Sequence, residues 1–187
     1  MKALLYCVKS KPYLSKEMID KPFIEVEFCL NARQDINHNR VLNGKIVAEV
    51  EIDKVEEIIL NGDEIKCNYG TRSLFSIEEE SCLTFDALDY YLNVDKPYGY
   101  ALHLTNLKVF DRPLSFDKDY IYKDYKTNAL ITKAPQNMCY CYDRFGNKYV
   151  VISIKPQHLC KILNGEKTIE VRKSILNSLK EEFNCGK

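Results

Sequence analysis

The sequence predicts a mainly β protein with a few short helices, an α+β fold. Three observations carry this expectation. Apolar runs rich in β-branched and aromatic residues recur along the chain, several of them alternate with polar residues at a period of two, and helical spacing appears only over short stretches.

The first strand is ALLYCV (3–8), an unbroken apolar run. NARQDINHNR (31–40), rich in Asn, Asp and Arg, reads as a loop, and Asn43-Gly44 supplies a turn into GKIVAEVEID (44–53), which alternates from Ile46 onward. Thr84 is placed to cap a short helix, TFDALDYYL, with Phe85, Leu88 and Leu92 at helical spacing. A long strand follows at 98–110 and is expected to stop at Asp111-Arg112-Pro113. Residues 114–134 are polar and aperiodic, the pattern of a surface excursion. NMCYCYD and NKYVVISI then form a hairpin around Gly146-Asn147. Pro156 suits a first helical turn, and Gly165 suits the position just past the end of PQHLCKILN. In KTIEVRK, alternation directs Ile169 and Val171 to the core with the stem of Lys167, and Thr168, Glu170 and Arg172 to the other face. The tail, 174–187, reads as a marginal helix. Several strands of this length predict a small barrel.

Composition narrows the classes. The chain has 187 residues, 45% of them hydrophobic and 29% charged, as in an ordinary globular domain. No apolar run approaches the roughly 20 residues of a membrane helix, and the N-terminus lacks the pattern of a secretory signal. The expectation is a cytoplasmic chain with no membrane contact. Eight cysteines lie mostly inside apolar runs such as LLYCV and MCYCY, as small buried hydrophobes do. The close pair, Cys139 and Cys141, is C-x-C rather than the C-x₂₋₄-C of zinc sites, so no metal is expected. None of the seven glycines forms a phosphate-binding loop, which argues against nucleoside-triphosphate and dinucleotide chemistry and leaves no cofactor to expect.

Charge is segregated although it sums to zero. Residues 49–95 hold thirteen acids against three bases (Lys54, Lys66, Arg72), so the remainder carries +10 against their −10. Such a chain can turn one basic face toward a polyanion, or simply place its acids on a solvated helix and loop. His38, His103 and His158 have no acidic or cysteine partner at a telling offset and read as structural or solvated residues. Among thirteen tyrosines, Tyr90, Tyr91, Tyr120, Tyr122 and Tyr125 are expected to cover the fold rather than stack on bases.

SIKPQHLCKILNGEKTIEVRK (153–173) resembles the opening of an ASCH domain, the RNA-associated branch of the PUA-like barrels. That family opens with a strand, a Ser-x-x-Pro-like turn, a short helix and Gly-x-Lys-x-x-Glu-x-Arg, here Gly165, Lys167, Glu170 and Arg172. LYCVKSKPYL (5–14), GKIVAEVEIDKVEEI (44–58), YGYALHLTNLKVFDRPLSF (98–116) and KAPQNMCYCYD (133–143) resemble the family's later elements. The opening segment comes last, which the resemblance explains as a circular permutation with Gly146-Asn147 as the join, the rival account being that 148–187 begin a second, truncated domain. The resemblance implies a single barrel over 1–173, with 148–173 supplying the usual N-terminal strand-helix-strand and 174–187 left as a tail. Closure in cis gives a monomer, and closure of a neighbour's barrel gives a strand-swapped dimer.

The resemblance also implies a ligand, RNA or a modified nucleoside, bound in a basic cleft. Lys167 brings a movable charge, Arg172 a rigid fork, Glu170 a means of fixing that fork, and Thr168 a hydroxyl. Lys9, Lys11, Tyr13, Gln136 and Lys155 are placed to approach the same mouth, since cations, aromatics and amides recognise unstacked bases and phosphates. From the residues alone, Glu170 and Arg172 read first as an ordinary ion pair at the surface of an edge strand, worth under about 1 kcal/mol, and only the resemblance reverses that preference. Some relatives are amidohydrolases acting on acylated cytidine, and others are proposed ribonucleases. The amidohydrolase pattern has a lysine, a threonine three residues later and a distant glutamate. Lys167 matches the first, Glu170 stands where the threonine would be, and Glu79 matches the glutamate by spacing. A metal-independent hydrolase using Lys167 and Glu170 for proton transfer is therefore the alternative function, and a protein-interaction module is the third.

Overall fold

The computed structural model describes residues 1–8, 44–61, 64–67, 70–92, 98–119 and 122–183. Its strands are β1 (Lys2–Cys7), β2 (Ile46–Asn61), β3 (Glu64–Cys67), β4 (Gly70–Ser73), β5 (Tyr98–Leu114), β6 (Lys123–Asp124), β7 (Met138–Tyr142), β8 (Lys148–Ile154) and β9 (Ile169–Arg172). The helices of the described residues are α1 (Leu74–Ser81), α2 (Phe85–Leu92), α3 (Phe116–Asp119), α4 (Pro156–Leu163) and α5 (Asn177–Glu182). The fold is mainly β with short helices, as the apolar patterning requires. None of these helices is long and apolar enough to cross a membrane.

The chain divides into two compact units. The first contains Met1, Glu51–Asn106 and Asn164–Lys187, and the second contains Lys2–Val50 and Leu107–Leu163. β2 and β5 are long enough to contribute to both.

In the second unit, β1 and β8 pair in parallel, from Ala3 opposite Val150 to Cys7 opposite Ile154. β8 pairs antiparallel with β7 on its other side, and β6 follows β7 at the edge. Because β8 has a neighbour on each side, Val150, Val151 and Ile152 are completely buried. The core gathers Leu4, Tyr6, Ile46, Phe116, Tyr122, Ile131, Cys141, Tyr149 and Val151. Phe116, Tyr122 and Ile131 belong to the stretch expected to be a surface excursion. Their apolar side chains are too irregularly spaced to show a period, yet α3 and β6 bring them to the core. The β7–β8 hairpin turns as expected, with Gly146 at φ +84°. Burial pushes the Cys139 thiol up to about 11, and no disulfide forms among the described cysteines.

In the first unit the strand order is β4–β3–β2–β5–β9. β9 runs antiparallel to β5, with Tyr100 opposite Arg172, Ala101 opposite Val171, Leu102 opposite Glu170 and His103 opposite Ile169. One face of this ribbon joins the core, where Ala101, Ile169 and Val171 meet Ile58, Leu60, Ile65, Ile77, Leu88 and Leu92. Thr84 caps α2 as expected, its Oγ1 accepting from Ala87 N at 3.3 Å. In the segment read as a tail, α5 buries Leu179 completely.

One expectation is corrected. β5 does not stop at Asp111-Arg112-Pro113 but continues to Leu114. Among the described residues, β9 pairs only with Tyr100–His103, so the later residues of β5 have no β9 partner on that side, where a proline costs no ladder bond. Among the described residues, the strand pairings do not close a ring.

Gly99 marks a close approach between β5 and β9. A Cβ there would lie 2.5 Å from Leu92 Cδ2 and 2.9 Å from the Arg172 carbonyl oxygen. The backbone oxygen cannot yield as a side-chain tip can. Gly99→Ala is expected to cost about 1–3 kcal/mol, the range for overpacking, read as a lower midpoint in urea unfolding.

Candidate functional site

The site lies wholly in the first unit, where β9 begins. α1 is capped by Ser73, whose Oγ accepts from Ser76 N at 3.2 Å. It ends at Cys82 in the left-handed conformation, φ 52°. The last carbonyls of a helix have no partners within it and carry the negative end of its dipole. Here the Glu79 carbonyl accepts from Cys82 N at 3.3 Å and the Glu80 carbonyl from Thr168 N at 2.9 Å. The Ser81 carbonyl accepts from Lys167 Nζ at 2.7 Å. Cys82 Sγ reaches Glu166 O at 3.4 Å, holding the same junction from the other side.

Lys167 is only 2% exposed. Its ammonium lies 3.3 Å from Glu170 Oε2, and Glu170 Oε1 lies 2.8 Å from Arg172 Nη2. Glu170 and Arg172 are 7% and 8% exposed. The surface ion pair that the residues alone allowed is therefore a buried chain, cation–carboxylate–cation. Burial holds Lys167 below its ordinary value of 10.5, and the charge and hydrogen bond of Glu170 oppose that shift. Ser81 itself is completely buried, and its Oγ has no hydrogen-bond partner among the described residues.

Cross-strand pairing puts Tyr100 and Leu102 on the face of Arg172 and Glu170. The Tyr98 hydroxyl lies 2.7 Å from both Glu57 Oε1 and the Tyr100 hydroxyl. Burial, then these hydrogen bonds, push the Tyr98 phenol above its ordinary range. Lys180 of α5 places its ammonium 4.8 Å from the centre of the Tyr100 ring, a cation–π contact. The core side of the ribbon carries a second polar group: Glu56, 1% exposed, pairs with His103 Nε2 at 2.7 Å and Lys54 Nζ at 2.5 Å. His103 thus has the acidic partner that its sequence neighbourhood did not reveal.

Of the residues expected at the site, Lys167, Glu170 and Arg172 come together. Thr168 is adjacent but exposed, and its backbone does the bonding, N–H to Glu80 O and C=O from Leu104 N at 2.8 Å. Glu79 is exposed on α1 and enters the junction through its carbonyl. Gln136 and Lys155 are exposed residues of the second unit. Lys9, Lys11 and Tyr13 lie outside the described residues. The sequence reading missed Ser81 and the Tyr98–Glu57–Tyr100 group, which only the strand pairing brings near the motif. The chain matches no protein-family model, no curated protein and no solved structure.

Proposed function

We propose that the chain is a circularly permuted, cytoplasmic relative of the ASCH, PUA-like barrels, and that it binds RNA or a modified nucleoside through Lys167, Glu170 and Arg172. The buried cation–carboxylate–cation chain carries this reading. Two cations share one carboxylate away from water, and cations fixed in this way are suited to an arriving phosphate or polarised carbonyl. Glu170 orients the Arg172 fork, and Lys167 has three donors, two of which go to Ser81 O and Glu170.

A hydrolase acting on RNA or an acylated nucleoside is the second reading. The depressed proton affinity of Lys167 favours it, because a lysine that gives up its proton more easily is a better base. One experiment tests both: titration with di- and trinucleotides and with an acylated cytidine, at low and moderate salt, for the natural chain and Arg172→Ala, followed by chemical examination of the recovered ligand. The expected result is saturable binding that Arg172→Ala weakens at least about tenfold, as loss of a charge-assisted contact does. Cleaved or deacylated ligand would establish the hydrolase. Binding unaffected by Arg172→Ala, or none at low salt, would contradict the proposal.

A further inference from the structure

The geometry points to a second binding surface, on the second unit: a cationic, aromatic platform at the β6–β7–β8 edge that stacks the unpaired bases of a single-stranded nucleic acid. It does not depend on the Lys167 site.

The strand register builds it. Lys123 stands opposite Tyr142 across β6 and β7, and Tyr142 stands opposite Lys148 across β7 and β8. Directly opposed residues share a face, so Lys123, Tyr142, Lys148 and, two residues before Tyr142, Tyr140 form one surface. The alternate residues Cys141 and Tyr149 go into the core. Tyr125, just after β6, lies over this surface. Its ring centre is 5.1 Å from that of Tyr142, with planes 36° apart, and 5.8 Å from that of Tyr140. Lys148 Nζ sits 4.3 Å from the Tyr140 ring centre and 5.1 Å from that of Tyr125. Tyr140 is buried as the base of the cluster, whereas Tyr125 is 44% exposed.

The β7–β8 turn extends the surface. Phe145 is 74% exposed, and the Arg144 guanidinium stacks 4.7 Å from its ring centre. The nearby carboxylates are already engaged. Asp124 accepts from Lys126 N at 3.0 Å, Thr127 N at 2.8 Å and Thr127 Oγ1 at 2.9 Å. Asp143 accepts from Phe145 N, Asn147 N and Asn147 Nδ2 at 2.8, 2.9 and 2.8 Å. These bonds fix the two turns, while Lys123, Lys126 and Arg144 are exposed and Lys148 lies half-buried against the rings. Exposed rings set among cations on fixed turns match the alternating base and phosphate of an unpaired strand. Tyr125 was expected only to cover the fold, but its exposure and its cationic neighbours place it in this surface.

The test uses the full chain and an oligouridylate of about a dozen nucleotides, within the range such surfaces span, with an abasic oligonucleotide of equal length as the comparison. The expected result is uridylate binding clearly tighter than abasic binding. Tyr125→Ala and Phe145→Ala should each weaken it about tenfold, and Tyr125→Phe should preserve it. Phe145→Ala keeps the test decisive should Tyr125→Ala unfold, because Phe145 lies outside the core. An oligothymidylate identifies the source: a preference for uridylate assigns RNA, parity assigns single strands generally, and both support the platform. Equal affinity for the abasic strand, no binding at low salt, or binding indifferent to Phe145→Ala and Tyr125→Ala would overturn it.

Discussion

Glu170→Gln is expected to lower stability by about 3–5 kcal/mol near neutral pH, the cost of leaving buried charge without its partner. Glutamine keeps the shape of the side chain but removes the single negative charge between Lys167 and Arg172. The pH dependence provides an internal check. Burial depresses the native pKa of Lys167 below 10.5, so between that lowered value and 10.5 the unfolded chain binds more protons than the native one. Stability contributed through this group therefore rises with pH across that window. Removing the Glu170 charge, which opposes the depression, extends the window downward. The destabilisation should accordingly shrink as the pH is raised toward the ordinary lysine value and Lys167 gives up its proton. Denaturant unfolding at neutral and alkaline pH measures it. A loss under about 1 kcal/mol that is indifferent to pH would identify the pair as a solvated one.

A chain ending at Asn147 is expected not to fold. Deleting 148–187 removes β8 from between β1 and β7 in the second unit, and β9 from beside β5 in the first. Val150, Val151, Ile152 and Ile169 are each completely buried. At about 1.5–3 kcal/mol per buried aliphatic side chain, their loss alone rivals the 5–15 kcal/mol of net stability typical of a domain. Circular dichroism and solubility of the truncated chain provide the readout. A soluble product with a cooperative melt would show that 148–187 is a separable appendage and would contradict the permuted arrangement.

The residues that could be read in advance were those whose signals are local. Alternation in KTIEVRK placed Ile169 and Val171 in the core, Thr84 marked the start of α2, and Gly146 and Gly165 marked their turns, both with positive φ. What could not be read depends on contacts between distant segments. Ser81 and Lys167 are 86 residues apart in sequence, and Glu56 and His103 are 47 apart. The same alternation that placed Glu170 and Arg172 opposite the core gave no sign that their face is buried too, since period two separates faces without saying what covers them. Phe116, Tyr122 and Ile131 were missed because a core can be filled from an irregular segment that has no period to detect.

The central claim is that the Lys167–Glu170–Arg172 chain receives an anionic ligand, and the most direct measurement is the titration of the Lys167 ammonium followed by NMR of the lysine side-chain nitrogens, with and without a dinucleotide. The account predicts a Lys167 pKa below the ordinary 10.5 in the free protein, rising on binding because a nearby anion favours the charged amine. The natural chain and Lys167→Met together assign the resonance. A dinucleotide that binds without moving the Lys167 signal would place the ligand elsewhere, and a Lys167 that titrates like an exposed lysine would contradict the buried site itself.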